Sequence, residues 1–196
     1  MPYFPYARIA FSAVLLMVAF AASAQNQEQD HEQLRGLLEK TRDAVNSGQF
    51  ANLMPLFHDP FAATTINQEL VTSREELQGF FERWFKGDGA IIKKLTMDPE
   101  ADAPTEIYDG KFGIARGSNT EVYELANGKT YALKVRWTAT LIKDEGTWKI
   151  LAIHNGTNFL DNPLLEAAEG SILYFGAGGL VVGLIAGVLI GRRRRA

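Results

Sequence analysis

The C-terminal end of the chain carries the feature that most constrains its fold. Residues 172–191 are 20 consecutive positions without a charge, and as an α-helix they rise about 30 Å, the thickness of the hydrocarbon core of a bilayer. Four arginines follow at 192–195, and the positive-inside rule places such a cluster in the cytoplasm. We therefore predict a transmembrane helix at 172–191 and a cytoplasmic basic tail at 192–196. A sorting tail that is removed after export is the alternative, because such tails also join an apolar helix to basic residues.

Glycines recur at every fourth position of this segment: Gly179, Gly183, Gly187 and Gly191. That spacing places all four on one helix face, where the missing side chains allow two backbones to approach closely. The pattern predicts that the segment associates with a second copy of itself. The alternative is a helix that is simply rich in small residues, as Ala186 also suggests.

The N-terminal 24 residues have the three parts of a secretory signal. Arg8 is the only charge before an apolar run at 9–22, and Ala22, Ser23 and Ala24 supply the small residues of a cleavage site. The run is shorter than the roughly 20 residues that a spanning helix needs. We predict a signal peptide at 1–24. Whether it is cleaved or remains as an anchor, residues 25–170 are predicted on the periplasmic or extracellular side.

The part of the chain between these ends is acidic. Without Arg8 and the four C-terminal arginines, 15 of the 20 basic residues remain against all 23 acidic ones, which gives residues 25–170 a net charge of −8. Nucleic-acid binding requires clustered Lys and Arg and is not expected. The chain has no cysteine and three histidines, which excludes disulfides and thiolate metal sites. We predict no metal and no cofactor.

The acidic segment is predicted to place helices before a sheet. Residues 25–33 form a polar tether, and an apolar stripe with helical spacing begins at Leu34. Ser73 and Glu76 have the spacing of a capping box and predict a second helix that Gly87 ends. Strands with alternating polarity follow at 91–97, 105–108, 111–116, 120–125, 130–142 and 147–157. Asn127-Gly128 is a strong hairpin signal. The expected fold is α+β with a curved antiparallel sheet.

The end of this segment resembles a known family. Residues 143–154 read KDEGTWKILAIH, a turn followed by a Trp-Lys-Ile triplet and a histidine. Together with the helical first half, this ending is similar to the nuclear-transport-factor-2-like superfamily, in its SnoaL-like and ketosteroid-isomerase-like branches. The resemblance covers roughly residues 30–165, and the domain itself is predicted at 34–165. It implies a cone-shaped α+β barrel that encloses a pocket and often dimerises through its outer sheet face.

His154 is the histidine of greatest interest. With a period of two, it shares a strand face with Trp148, Ile150 and Ala152. A histidine there is either a hydrogen-bonded structural residue or a weak candidate for a general base. The ligand-binding candidates are Trp84, Tyr108, Arg116, Tyr123, Arg136, Trp137 and His154. Arg136 is either a pocket cation for a carboxylate or an outer-face charge.

Two classes of function remain open from the sequence. The first is a membrane-anchored domain, a homodimer by resemblance, whose pocket binds a small apolar or acidic ligand or a protein partner without catalysis. The second is an isomerase, cyclase or dehydratase that uses acid–base chemistry in the pocket. The first is favoured because no set of acid and base residues can be assembled from the sequence.

Overall fold

A computed structural model describes residues 5–193 of the chain. The helical elements, which include one 3₁₀ helix named η1, are α1 (Pro5–Asn46), η1 (Phe50–Leu56), α2 (Arg74–Phe85) and α3 (Pro163–Arg193). The strands are β1 (Phe57–Thr64), β2 (Leu70–Val71), β3 (Ile92–Ala101), β4 (Glu106–Tyr108), β5 (Phe112–Leu125), β6 (Thr130–Asp144) and β7 (Thr147–Thr157).

Within residues 5–193, seven strands form one open, mixed sheet. The strand order is β2-β1-β7-β6-β5-β3, and β4 pairs with β5. The α+β class predicted from the sequence is confirmed. The expectation of a purely antiparallel sheet is wrong, because β1 runs parallel to β7. This pairing joins strands that are far apart in the chain, so no hairpin signal announces it.

Local signals set the ends of several elements. The Ser73 hydroxyl accepts a hydrogen bond from the amide of Glu76 at 3.2 Å, which caps the start of α2 as predicted. Gly128 has a φ of 83° in the turn between β5 and β6, where a side chain would be strained. The predicted hairpin at Asn127-Gly128 therefore forms between the two longest strands.

Helix α1 is longer than the sequence pattern indicates. Residues 25–33, predicted as a polar tether, are helical and continuous with the rest of α1. Asp30 is 5% exposed. Its carboxylate accepts hydrogen bonds from Lys143 Nζ at 2.5 Å and from Trp148 Nε1 at 3.0 Å. This buried contact fastens the helix to the ends of β6 and β7.

The core lies between the helices and one face of the sheet. Leu34, Leu37 and Val45 of α1 belong to the same buried cluster as sheet residues Trp137 and Leu141. Phe50 of η1 stacks on Phe81 of α2 with ring centroids 4.0 Å apart. The helices thus cover this inner face of the sheet and leave its other face open.

Helix α3 follows the sheet and has a different character. Within the described part of the chain, Pro163–Ala186 is the one segment long and apolar enough to cross a membrane, and none of it is buried against the rest of the protein. A Cβ built on Gly179 or Gly183 would have no neighbouring atom within 4 Å. The surroundings of Gly187 and Gly191 lie outside the described residues, as do residues 1–4 of the predicted signal peptide and 194–196 of the predicted tail.

Candidate functional site: a cavity between the helices and the sheet

A cavity of about 470 Å³ lies under the helices on the inner face of the sheet. This volume is in the range of small-molecule binding sites. Most of its wall is apolar, and the side chains that reach it from α1, α2 and the sheet include Leu37, Leu38, Phe57, Phe80, Trp137 and Leu141. Ala103 and Pro104, on the connection between β3 and β4, are exposed residues of the same wall and mark its rim.

Strand β5 contributes the polar part of the wall. Asn119, Glu121 and Tyr123 alternate along the strand and so point to the same face, into the cavity. The Asn119 amide nitrogen donates a hydrogen bond to one oxygen of Glu121 at 3.0 Å, and the Tyr123 hydroxyl donates to the other oxygen. The Asn119 side-chain oxygen accepts from the amide of Asp98 at 3.0 Å, which fixes the orientation of the Asn119 side chain.

The electrostatics of this cluster differ from those of a surface carboxylate. Glu121 is 7% exposed. Burial raises the pKa of its carboxyl, and the hydrogen bonds from Tyr123 and Asn119 oppose the rise without cancelling it. Burial and the neighbouring charge of Glu121 raise the pKa of Tyr123 well above its usual range. No ion pair among residues 25–172 includes Glu121, so the carboxylate has polar neighbours but no counter-cation.

The wall includes further polar residues: His31, Arg35, Thr41, Thr65, Thr105 and Asn155. Asn155 of β7 is half-buried, and its side chain makes no hydrogen bond within the described part of the protein. Arg35 of α1 also borders the cavity, but its guanidinium pairs with Glu28 at 2.8 Å and Glu32 at 2.7 Å on the exposed side of the helix. The amide of Asn155 is therefore available to a bound molecule, whereas Arg35 is engaged elsewhere.

The structure brings two of the sequence candidates to the cavity, Tyr123 and Trp137. Trp84 lies outside it, half-buried, and donates from Nε1 to Glu69 at 3.0 Å. Tyr108 and Arg116 are exposed and share a partner, Glu106.

Arg136 is exposed on the outer face of the sheet and forms a two-pronged ion pair with Asp102. Of the two readings of this residue, the structure therefore supports the outer-face charge. The cavity wall gains no cation from it.

His154 lies on the opposite face of β7 from the one predicted. The pairing of β6 with β7 shifts between Thr140 and Leu141, and such an irregularity changes which residues alternate together. As a result Ile153 and Asn155 follow Ile150 on the cavity side, while His154 is exposed beside Thr138. His154 does not reach the cavity from this position.

Sequence reasoning missed Asn119, Glu121 and Asn155. The sequence pattern predicts two separate strands at 111–116 and 120–125, whereas β5 runs without a break over 14 residues. An uninterrupted alternation from Gly113 onward would have placed Asn119, Glu121 and Tyr123 on one face. Within the described residues no group of three or more His, Asp or Glu side chains is placed to hold a metal ion.

The chain is an α+β pocket domain, since its open mixed sheet bears a mostly apolar cavity on the face that the helices cover. A family model for the SnoaL-like domain matches residues 34–156. The chain therefore belongs to the SnoaL-like family of the nuclear-transport-factor-2-like superfamily, which confirms the resemblance seen in residues 143–154. No curated protein sequence matches the chain.

Solved structures agree with this fold. A type 2 hexachlorocyclohexane dehydrochlorinase, LinA, superposes with a TM-score of 0.62 at 11% identity, over 69% of this chain and 90% of that one. A provisionally assigned scytalone dehydratase from Novosphingobium aromaticivorans superposes with a TM-score of 0.60 at 11% identity, over 69% and 89%. An uncharacterised protein of cystatin-like fold from Caulobacter vibrioides gives 0.55 at 15% identity, over 73% and 96%. At these identities the likeness shows the fold alone.

Proposed function

We propose that this chain is an exported, membrane-anchored domain that binds a small, largely apolar molecule in its cavity without transforming it. The observation that carries the proposal is the cavity itself, which has about 470 Å³ of space, a mostly apolar wall and a polar cluster on β5. Apolar walls provide affinity by removing ligand surface from water, and a few placed polar groups fix the orientation of the ligand.

Binding is favoured over catalysis by the way in which Glu121 is held. Each of its two oxygens already accepts a hydrogen bond, an arrangement that stabilises the ionised carboxylate. A general acid–base mechanism also needs a second group to receive or supply a proton. The described wall offers Asn119, Tyr123 and Asn155 on the sheet and His31 on α1. Tyr123 has its proton engaged and its pKa raised, and neither of the hydrogen bonds to Glu121 comes from His31.

The membrane anchor rests on helix α3. Its apolar segment is long enough to span a bilayer, and the basic residues that follow favour an orientation with the tail in the cytoplasm. Together with the signal-like residues 1–24, this orientation supports a cavity on the periplasmic or extracellular side. We further propose that two copies associate, through the glycine face of the span and through the uncovered outer face of the sheet.

An acid–base enzyme is the second candidate, and one observation favours it. Glu121 is a carboxyl of raised pKa on the wall of an apolar cavity, beside a tyrosine hydroxyl, and perturbed groups in cavities are typical of catalytic sites. Structural neighbours of this fold include proteins described as a dehydrochlorinase and a dehydratase. In this role Glu121 would abstract a proton from an apolar substrate.

Dansylamide, a small neutral dye, tests whether the cavity binds apolar molecules. The full chain is reconstituted in lipid nanodiscs, and energy transfer from tryptophan to the dye is recorded. Trp137 lies in the cavity wall, so transfer reports dye in the cavity more strongly than dye in the lipid. Ala139→Phe, which fills the cavity, should weaken binding by about tenfold or more. Ala132→Phe, on the exposed face of the same strand, is the matched control and should bind as the unmodified chain does.

Equal binding by Ala139→Phe and Ala132→Phe would place the dye outside the cavity and refute the proposal.

The enzymatic candidate is tested by a separate measurement. Benzylacetone in heavy water exchanges the protons next to its carbonyl when a base removes them. Exchange above the buffer rate that is lost in Glu121→Gln would establish proton abstraction and overturn a purely binding role.

A further inference from the structure

The charge balance of the cavity wall indicates which ligands it accepts. Glu121 is the one buried acidic side chain of the described wall, and its carboxylate has no counter-cation. Arg35 is committed to Glu28 and Glu32, and Arg136, the cation considered from the sequence, faces away from the cavity. An ionised carboxylate in an apolar enclosure is costly unless a positive charge joins it.

The two hydrogen bonds to Glu121 leave room for a third. A carboxylate has two oxygens with about four positions at which a donor can bind. Asn119 and Tyr123 occupy one position on each oxygen and fix the plane of the carboxylate. Because Glu121 lines the cavity, the remaining positions are accessible from its interior. The carboxylate is therefore oriented in advance for a donor that enters with a ligand.

Resting on the proposed binding function, we propose that the natural ligand carries a protonated amine on an apolar body, and that this amine pairs with the carboxylate of Glu121. An alcohol supplies a donor but leaves the carboxylate charge unbalanced. An acidic ligand places a second negative charge beside it in surroundings of low dielectric, where repulsion is strong. An ammonium group supplies both the donor and the charge, and such charge-assisted hydrogen bonds are the strong ones.

The rest of the wall sets the form of the ligand. Leu37, Phe80 and Trp137 reach the same cavity from α1, α2 and β6, so the body of the molecule contacts aliphatic and aromatic surfaces. The acidic ligand considered from the sequence finds one permanent cation on the described wall, Arg35, and its guanidinium is committed to Glu28 and Glu32. A compact aromatic or aliphatic amine matches both the apolar wall of the cavity and the carboxylate of Glu121.

Three ligands with one carbon skeleton test this proposal: phenylbutylamine, phenylbutanol and phenylbutanoate. Each displaces dansylamide from the full chain in nanodiscs at about pH 8, where phenylbutylamine is protonated and phenylbutanoate is ionised. We expect the amine to bind about tenfold or more tightly than the alcohol, and the carboxylate to bind most weakly. Glu121→Gln should bring the amine to the affinity of the alcohol. Glu124→Gln removes the same charge from the same strand at a position outside the cavity wall and should keep the preference.

The outcomes separate this proposal from the one on which it rests. If dansylamide binds and the three ligands displace it equally, the amine preference is wrong and the binding function stands. If dansylamide does not bind the unmodified chain, both fail. A measurement without any substitution guards against a misfolded variant: the preference of the unmodified chain for the amine should decline as the pH falls and Glu121 takes up a proton. A preference that stays constant down to about pH 4 would overturn the role of Glu121.

Discussion

Replacing Asp30 with alanine should cost the domain far more stability than its position in a polar segment suggests. Its carboxylate is buried and accepts hydrogen bonds from Trp148 Nε1 and Lys143 Nζ. Trp148 is 3% exposed, so its indole N–H would lose its acceptor away from water, at about 1–3 kcal/mol. Removing one partner of a buried ion pair costs about 3–5 kcal/mol, but the Lys143 side chain is 27% exposed and can be rehydrated. We expect a total of about 3 kcal/mol.

Chemical denaturation of the full chain, followed by tryptophan fluorescence, measures this loss. Arg35→Ala is the matched control on the same helix, because its ion pairs with Glu28 and Glu32 are exposed. Exposed pairs contribute little, so this variant should unfold within error of the unmodified chain. If Asp30→Ala and Arg35→Ala unfold at the same denaturant concentration, the contact between α1 and the sheet does not hold the domain together.

The pH dependence of the Asp30 effect has a definite sign. Burial acts to raise the pKa of Asp30, but the hydrogen bonds from Lys143 and Trp148 outweigh it and bring the pKa below its ordinary value. A lowered pKa in the folded state contributes stability that is fully present above the unfolded value of about 3.9 and is lost as the pH falls through the folded value. The difference in the free energy of unfolding between the unmodified chain and Asp30→Ala should therefore narrow only in strong acid.

Three further outcomes are expected. Gly117→Ala should destabilise the domain by about 1–3 kcal/mol, because its Cβ would lie 2.0 Å from the Glu100 carbonyl oxygen. Gly156 has open space around it, so Gly156→Ala is the control and should not change the melting temperature. The Glu121→Gln variant should become more stable relative to the unmodified chain as the pH rises. The pKa of Glu121 is raised in the folded state, so its protonated form contributes stability that is lost as the pH rises through that pKa. A difference in stability that does not change with pH would contradict this. A reporter that is active only after export should be active when it is fused near Glu169. A fusion that is expressed but inactive would contradict the predicted topology.

Much of the fold follows from short-range signals in the sequence. The cap at Ser73 and the turn at Gly128 each depend on neighbouring residues, and both are where the pattern predicts them. The parallel pairing of β1 with β7 joins residues about a hundred positions apart, and short-range periodicity carries no information about such a partner. The burial of Asp30 has the same origin, since its donors lie on β6 and β7.

The candidate site was less predictable than the fold. Tyr123 and Trp137 could be found because they sit in strands whose alternation is regular. The face of His154 depends on one irregularity in the pairing of β6 with β7, and a shift of a single residue exchanges the two faces of a strand. Glu121 shares its strand face with Asn119, and the predicted strands at 111–116 and 120–125 leave out Gly117, Ser118 and Asn119. Gly117 is instead required by close approach, since the Trp137 ring occupies the space of its missing side chain.

Glu121 connects stability to function. A buried carboxylate without a cation reduces stability at neutral pH, and Glu121→Gln is expected to raise it there. The hydrogen bonds from Asn119 and Tyr123 lessen this cost, but they also hold the carboxylate in one orientation on the cavity wall. Folding alone does not require a charge at this position, because a neutral amide of the same shape can accept from Asn119 with its oxygen and donate to the Tyr123 hydroxyl oxygen with its nitrogen. The charge has a physical role once a positive group enters the cavity, where pairing recovers the free energy that burial costs. The preference for an amine and the stabilising effect of Glu121→Gln are thus two consequences of one unbalanced charge. If neither were observed, the polar cluster on β5 would have a packing role only.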